Sequence, residues 1–586
     1  MLVFQIYSLE SRRLNSWAAA LRLQIPRDSR GVCSSSTRSE YNRVVVEAAR
    51  EEPEEGVVHI QFDSEIGASN NAVQPPRPPP QSRSFFPKKG QDLELECESL
   101  AYKGLGVCKV VETGFVVFCE RALPGERLVA RIVKKRKGFA EAYKLKTLSV
   151  HNNAVTAPCK YFGECGGCKA QNLAYEAQLQ AKEQQVHDLV ARVGKFGRSA
   201  PVDHPDSYMM PIVPCLSQYH YRNKMEFSYG TKKWRPVGEY MTASKEAENG
   251  DPKVMEFALG LHAPGRFDKV LPIDHCLLQH DISNQVLAMI QEFGEKNMHQ
   301  LPPYDVRTYE GFLKHLTIRS GRDCNTGELQ LMVNFVTKDD KPELLQPLVD
   351  HISASFPQVV SIVNNVNTSI GPSSVGEKEH VLHGVGFITE HLRGLVFEIS
   401  ANSFFQTNTD QAEVLYQCVE EQCRLKGDSS EIVLDLFCGT GSIGLSIASR
   451  VKHVYGYELV PEAVADARRN ADRNGILNAT FIQGDLNKLT GDFGKDFPKP
   501  DIVITDPNRP GMHLKLISYL LKLKARRIVY VSCNPATCAR DLDLLCHSQG
   551  GELGMETRYQ LVHVQPVDMF PQTFHIECIC TLELCT

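Results

Sequence analysis

No stretch of this 586-residue chain comes near the roughly 20 consecutive apolar residues that a bilayer-spanning helix requires, so no membrane partner is expected. Positive charge is not in excess either. The 65 Lys and Arg face 70 Asp and Glu, a formal net charge of −5. Any contact with nucleic acid must then come from a local basic patch. The 19 cysteines are spread along a long chain. That excludes the dense disulfide framework of a small secreted domain and points to reduced thiols with a few specialised members. A hydrophobic content of 42% is ordinary for a globular protein. The length predicts roughly two to four domains.

Residues 1–46 are poor in acids and rich in Arg and Ser. Arg12, Arg13, Arg22, Arg27, Arg30, Arg38 and Arg43 face only Glu10, Asp28 and Glu40. This composition predicts an organellar transit peptide, plastid or mitochondrial, against the alternative of an unstructured tail without an address. Residues 47–87 are acidic and then proline-rich, which predicts an extended linker. Residues 88–150 alternate short β-rich runs with glycine turns, as in 93–98, 114–118 and 127–132. Several short strands in so small a region predict an oligonucleotide-binding-type barrel. Lys134, Lys135, Arg136 and Lys137 follow the third run. On a barrel that also bears Phe139 and Tyr143 they form a candidate phosphate-tracking surface, although a charge run is more often a solvated face.

Residues 151–397 form a central α+β region. It opens on Cys159, Cys165 and Cys168, spaced C-x5-C-x2-C. Two glycines between the last two cysteines allow the backbone to wrap an inorganic centre closely. A fourth thiolate is needed, and Cys276 is the candidate. Four thiolates suit Zn²⁺ or a [4Fe–4S] cluster, and spacing leaves both open. The C-x3-C-x2-C spacing of radical enzymes is absent. Between these cysteines lies Tyr221-Arg222-Asn223-Lys224-Met225-Glu226-Phe227, which reads equally as an RNA contact or a solvated strand edge.

Residues 398–586 alternate apolar runs with helical patterns, predicting an α/β, doubly wound, mostly parallel sheet. The loop Cys438-Gly439-Thr440-Gly441 follows the first strand. It lacks the G-x-G-x-x-G of dinucleotide sites. Glu458 ends the second strand and suits a ribose hydroxyl pair; Asp485 ends the third and suits an adenine amino group. Together they favour S-adenosyl-L-methionine over a dinucleotide. Asp506 and Cys533 each follow a further apolar run. Cys533 is flanked by polar turn residues, Ser532 and Asn534, which favours a reactive thiol over a core cysteine. Glu577 lies between Ile576 and Cys578 at the mouth of a last strand.

Taken together, the motifs Ser532-Cys533-Asn534-Pro535, Asp568-Met569-Phe570-Pro571 and His575-Ile576-Glu577, in this order, resemble those of the S-adenosylmethionine-dependent RNA uracil-5 methyltransferases. The resemblance spans about residues 88–586. It implies that the barrel is a TRAM domain, and that Cys159, Cys165, Cys168 and Cys276 hold a [4Fe–4S] cluster, as in the 23S ribosomal RNA members. It implies cofactor contacts from Gln406, Phe437, Ser442, Glu458, Asp485 and Asp506. It makes Cys533 the nucleophile and Glu577 the general base. The substrate implied is RNA, ribosomal rather than transfer, and the protein is expected to be a monomer. Asn508 departs from the family's Asp-Pro-Pro-Arg, which frees φ and adds a backbone donor in that loop. Ser442 stands where some relatives have Asn.

The chemistry explains the residue types. Carbon 5 of uracil is a poor nucleophile. A thiolate added at carbon 6 turns the ring into an enolate that takes a methyl at carbon 5, and a base then removes the carbon 5 proton. A cytosine-5 methyltransferase is an alternative with different motifs around its cysteine. An exocyclic-amine methyltransferase is disfavoured because Arg509 replaces the expected aromatic. A transfer-RNA enzyme, a non-catalytic RNA-binding factor and a cysteine-based redox sensor are the remaining alternatives.

Overall fold

The computed structural model describes residues 85–101, 104–197, 207–235, 256–371, 373–489, 493–495, 497–547 and 558–585. The predicted transit peptide and nearly all of the linker lie outside the described residues.

Five short strands open the described chain: β1 (Asp92–Leu100), β2 (Gly106–Val110), β3 (Val116–Glu120), β4 (Arg127–Lys135) and β5 (Ala140–Ser149). They close as a barrel in the order β1-β2-β3-β5-β4, with β4 returning to β1. Alternate residues such as Leu95, Val117, Leu128 and Ile132 fill the interior. Lys134 and Lys135 form the end of β4, so the basic run straddles the β4–β5 turn.

Helix α1 (Tyr175–Arg192) follows. The central sheet is built from β6 (Lys224–Gly230), β7 (Ala258–His262), β8 (Val270–Pro272), β9 (Leu313–Arg322), β10 (Leu329–Thr337), β11 (Val359–Val366) and β12 (Lys378–Gly384), in the order β12-β11-β10-β9-β6-β7-β8. Helices α2 (Asp281–Lys296) and α3 (Gln346–Ser355) bury Val286, Ile290, Leu348 and Ile352 against it. The hairpin β13 (Phe387–Leu392) and β14 (Leu395–Ser400) leads to α4 (Thr409–Cys423).

The C-terminal sheet runs β15 (Ile432–Leu436), α5 (Ser442–Ile447), β16 (His453–Glu458), α6 (Pro461–Arg473), β17 (Ala479–Gln483), β18 (Ile502–Thr505), α7 (Leu514–Leu523), β19 (Arg527–Ser532), α8 (Pro535–His547), β20 (Tyr559–Val567) and β21 (Glu577–Leu584). Its order is β17-β16-β15-β18-β19-β21-β20. The first five strands are parallel, and β21 runs antiparallel between β19 and β20. This is the doubly wound sheet expected, with an antiparallel hairpin on one edge. The near-continuous apolar strands follow from burial on both faces. Val433, Ile502, Ile504 and Val529 pack with Leu415 and Val419 of α4 and Ala467 of α6. Leu434, Val503, Ile528 and Tyr530 pack with Leu516 of α7 and Leu542 of α8.

Val186 and Val190 of α1 belong to that second core, although the sequence reading grouped α1 with the central region. The same strip of chain bridges the sheet edge at Met209–Val564 and Val213–Val567. Lys182 of α1 donates to Asp568 Oδ1 at 2.6 Å, and both side chains are fully buried. No helix among the described residues is long and apolar enough to cross a membrane.

Removing one partner of a buried ion pair strands the other charge, at a cost of about 3–5 kcal/mol. Lys182→Ala is expected to lower unfolding stability by that order, read from the denaturant midpoint. Lys296→Ala, in the exposed pair with Glu292, is expected to change it by less than about 1 kcal/mol. Equal effects would remove the special role of burial.

Candidate active site at the strand ends

Five parallel strands bring their C-terminal ends to one edge of the sheet. Phe437 follows β15, Glu458 ends β16, Asp485 lies just past β17, Asp506 follows β18 and Cys533 follows β19. The strand order reverses between β15 and β18, and ligands of open α/β sheets bind in the crevice outside such a point.

The cofactor-side loop is shaped by backbone conformation. Phe437 has φ 62°, a left-handed conformation that is uncommon for a bulky residue and is held only where surroundings demand it. Gly441 has φ 78°, and a Cβ there would meet the Phe481 ring at 2.7 Å. Both oxygens of Glu458 are engaged: Oε2 accepts from Gly439 N at 3.1 Å and Oε1 from Val460 N at 2.9 Å. Asp485 Oδ1 accepts from Asn487 N at 3.0 Å, and its other oxygen pairs with Lys488. The Ser442 hydroxyl lies 2.7 Å from that of Tyr416, a buried residue of α4. Gln406 is buried. Its carbonyl accepts from Asn223 Nδ2 at 2.9 Å, and Asn223 N donates to Thr407 O. Asn223 therefore braces the 406–407 segment from the start of β6, a role distinct from both readings of its motif.

Two candidate residues, Cys533 and Glu577, come together through strand register. Ser532 of β19 pairs with Cys578 of β21, and continuing that antiparallel register by one step sets Cys533 beside Glu577. Cys533 is partly exposed and Glu577 buried. Asn534 Nδ2 and Thr537 Oγ1 both donate to the Arg509 carbonyl, at 2.8 and 2.9 Å, which ties the turn after β19 to the 506–511 loop. Asn508 keeps that loop closed, accepting from Gly511 N at 2.8 Å.

Electrostatics here favour neutral groups. Burial raises the Cys533 thiol above its ordinary value, and the Glu577 and Asp506 carboxylates add to the effect; Arg509 opposes it. Burial, then Asp506, pushes Glu577 well above the carboxylate range. Burial raises Asp506 to about 7. The lowering influence of Arg509 on Cys533 is thus outweighed in the protein alone.

The four predicted cluster ligands also converge. Cys165 and Cys168 are pushed up to about 11 and 12, first by burial and then by neighbouring thiols that include Cys276 and Cys159. Cys276 is raised by burial and by Cys159. Asp274 joins the two stretches, accepting from Lys160 Nζ at 2.7 Å and Tyr161 OH at 2.6 Å. A different group escaped the sequence reading. The Sγ atoms of Cys538, Cys578 and Cys580 lie within 4.8 Å of one another, fully buried in the core behind Cys533 and Glu577. Tyr416 was also missed, as were the bracing roles of Asn223 and Asn408. Asn408 alone carried a local signal, as the N-cap ahead of α4, where its side chain accepts from Gln411 N.

The tRNA (uracil-5-)-methyltransferase family matches residues 374–584. An uncharacterised RNA methyltransferase of Porphyromonas gingivalis is 39% identical over 491 residues, 83% of this chain and 99% of that one. One of Chlorobaculum tepidum is 39% identical over 500 residues, 85% of this chain and 97% of that one. The crystal structure of the Pyrococcus abyssi tRNA (uracil-54, C5)-methyltransferase in complex with S-adenosyl-L-homocysteine is similar at a TM-score of 0.60 and 25% identity, covering 84% of this chain and all of that one. The chain is a methyltransferase and belongs to the RNA uracil-5 methyltransferase family.

Proposed function

We propose that the protein methylates carbon 5 of a uridine in RNA, with Cys533 as nucleophile and Glu577 as general base. The observation that carries this reading is the register that sets Cys533 beside Glu577, with Asp506 acting on both. S-adenosyl-L-methionine, bound outside the strand ends near Gln406, Phe437, Ser442, Glu458 and Asp485, supplies an electrophilic methyl group. The Cys533 sulfur adds to carbon 6 of a base turned out of its stack. Asp506 hydrogen-bonds the uracil edge, a role its raised protonation state suits. Glu577 takes the proton from carbon 5, and the sulfur then leaves. Cys533→Ala is expected to bind RNA within about threefold of the native protein and to lose methyl transfer by on the order of 10³-fold or more. Full activity in that variant rules the nucleophile out.

A general base works only when ionised. With Glu577 raised, its working fraction is small at low pH and grows as pH rises through the folded value. The acid limb of the single-turnover rate is expected well above the roughly pH 4–5 of an ordinary carboxylate. Asp506→Asn removes a like charge and is expected to move that limb to lower pH. A limb that stays put excludes Asp506 as a cause.

The barrel is read as an RNA-binding TRAM domain, and the four thiols as the seat of a [4Fe–4S] cluster. The donor chemistry fits: four clustered thiols whose charge a cationic centre would offset. Among the described residues no three of their sulfurs lie within 4.8 Å of one another. A tetrahedral Zn²⁺ site would bring sulfurs to about 3.8 Å, given Zn–S bonds near 2.3 Å. Anaerobically purified protein is expected to contain iron with visible absorbance, and Cys276→Ser to lose most of it; colourless, zinc-loaded protein would reverse the assignment. Ribosomal RNA is the proposed substrate, carried by the barrel-plus-four-cysteine arrangement. Transfer RNA is the second reading, favoured by the Pyrococcus abyssi neighbour. Organellar import rests on the Arg- and Ser-rich residues 1–46, and a monomeric state is part of the same reading. Mapping 5-methyluridine in organellar ribosomal and transfer RNA, with and without the gene, separates the substrates.

A further inference from the structure

We propose that Gln178 and Lys182 of α1 are positioning residues for Glu577, acting through the connection of residues 568–576, and that the four-thiol site bears on the same connection. This rests on the reading of Glu577 as general base.

Val567 and Glu577 are the paired feet of the β20–β21 hairpin, so the path of residues 568–576 sets where the carboxylate stands. A hairpin connection this long has no preferred turn of its own and must be held from outside. Lys182 Nζ donates to Asp568 Oδ1 at 2.6 Å and to Phe570 O at 3.2 Å. Tyr175 OH donates to Asp568 Oδ2 at 2.9 Å. Gln178 exchanges two bonds with Gln572: its Nε2 donates to Gln572 Oε1 and its Oε1 accepts from Gln572 N, both at 3.1 Å. Gln572 itself has φ 67°, a strained conformation that persists only where contacts over-determine it.

Both limbs of the thiol set end on the same turn. Lys169 N and Ala170 N, directly after Cys168, both donate to Gln572 O at 3.0 Å. Tyr221 OH donates to Pro571 O at 3.0 Å, and the next residue, Arg222, donates from its backbone to Leu278 O, two residues beyond Cys276. A centre that draws the four thiols together therefore tightens the seat of Gln572.

Removal of the carbon 5 proton is the step that frees the sulfur. A displaced Glu577 leaves methylated RNA attached to Cys533, while formation of that adduct is unaffected. Gln178→Leu keeps the volume and removes the bonds. It is expected to release the adduct at least about tenfold more slowly, with an unchanged KM for RNA and a protein–RNA band that persists on a denaturing gel. Lys182→Met is expected to do the same where it folds. If adduct formation and release fall together, or neither changes, the positioning role is overturned. Glu577→Gln serves as the reference. If it traps an adduct and Gln178→Leu does not, only this inference fails; if no adduct forms in either or in the native protein, the covalent reading itself fails. Amide hydrogen exchange tests the thiol limb. Stripping iron with a chelator is expected to speed exchange at residues 169, 170 and 572 by at least about tenfold, and unchanged exchange there overturns the coupling.

Discussion

Ser532 faces Cys578 across β19 and β21, and a slip of one residue in that pairing would turn Glu577 to the other side of the sheet from Cys533. Cys533 and Glu577 come from strands that run in opposite directions, so neither is placed by local sequence. Their meeting depends on the antiparallel hairpin inserted at the edge of a parallel sheet. That edge is in turn pinned by chain from outside the C-terminal domain, at Met209 and Val213, by α1, and by the buried pair Lys182–Asp568. The barrel takes part as well: a Cβ on Gly104 would collide with the Phe574 ring, so barrel backbone and the β20–β21 connection lie against each other.

The same geometry gathers acids where charge is costly. Asp435, Asp506, Glu577 and Cys533 are all raised, each first by burial. Burial favours their protonated forms and so lessens the mutual repulsion among them. The stabilisation that carries this arrangement lies elsewhere, in the two apolar cores that sandwich the sheet.

Much of this was legible in the chain because the relevant signals are local. Strand tips at Glu458, Asp506 and Cys533 show as apolar runs ended by a polar residue. Gly441 shows within the Cys438-Gly439-Thr440-Gly441 loop, and α6 begins at a proline. The barrel was legible as a type, although β2, five residues long with a lysine within it, gave too weak an alternation to find. What stayed hidden depends on long-range pairing. Asn223 meets Gln406 across 183 positions, and Gln178 meets Gln572 across 394. The buried lysine of α1 broke the helix's apolar pattern, so its packing against the C-terminal sheet could not be read from periodicity.

Lys182 and Asp568 are separated by 386 positions. At a translation rate of about 5–20 residues per second, α1 leaves the ribosome roughly 20–80 s before its partner exists. Throughout that interval its ammonium group has no Asp568 to meet, and Val186 and Val190 lack the C-terminal strands they pack against. The C-terminal sheet therefore closes on an element made long before it, and α1 takes its native place only once residue 568 has emerged.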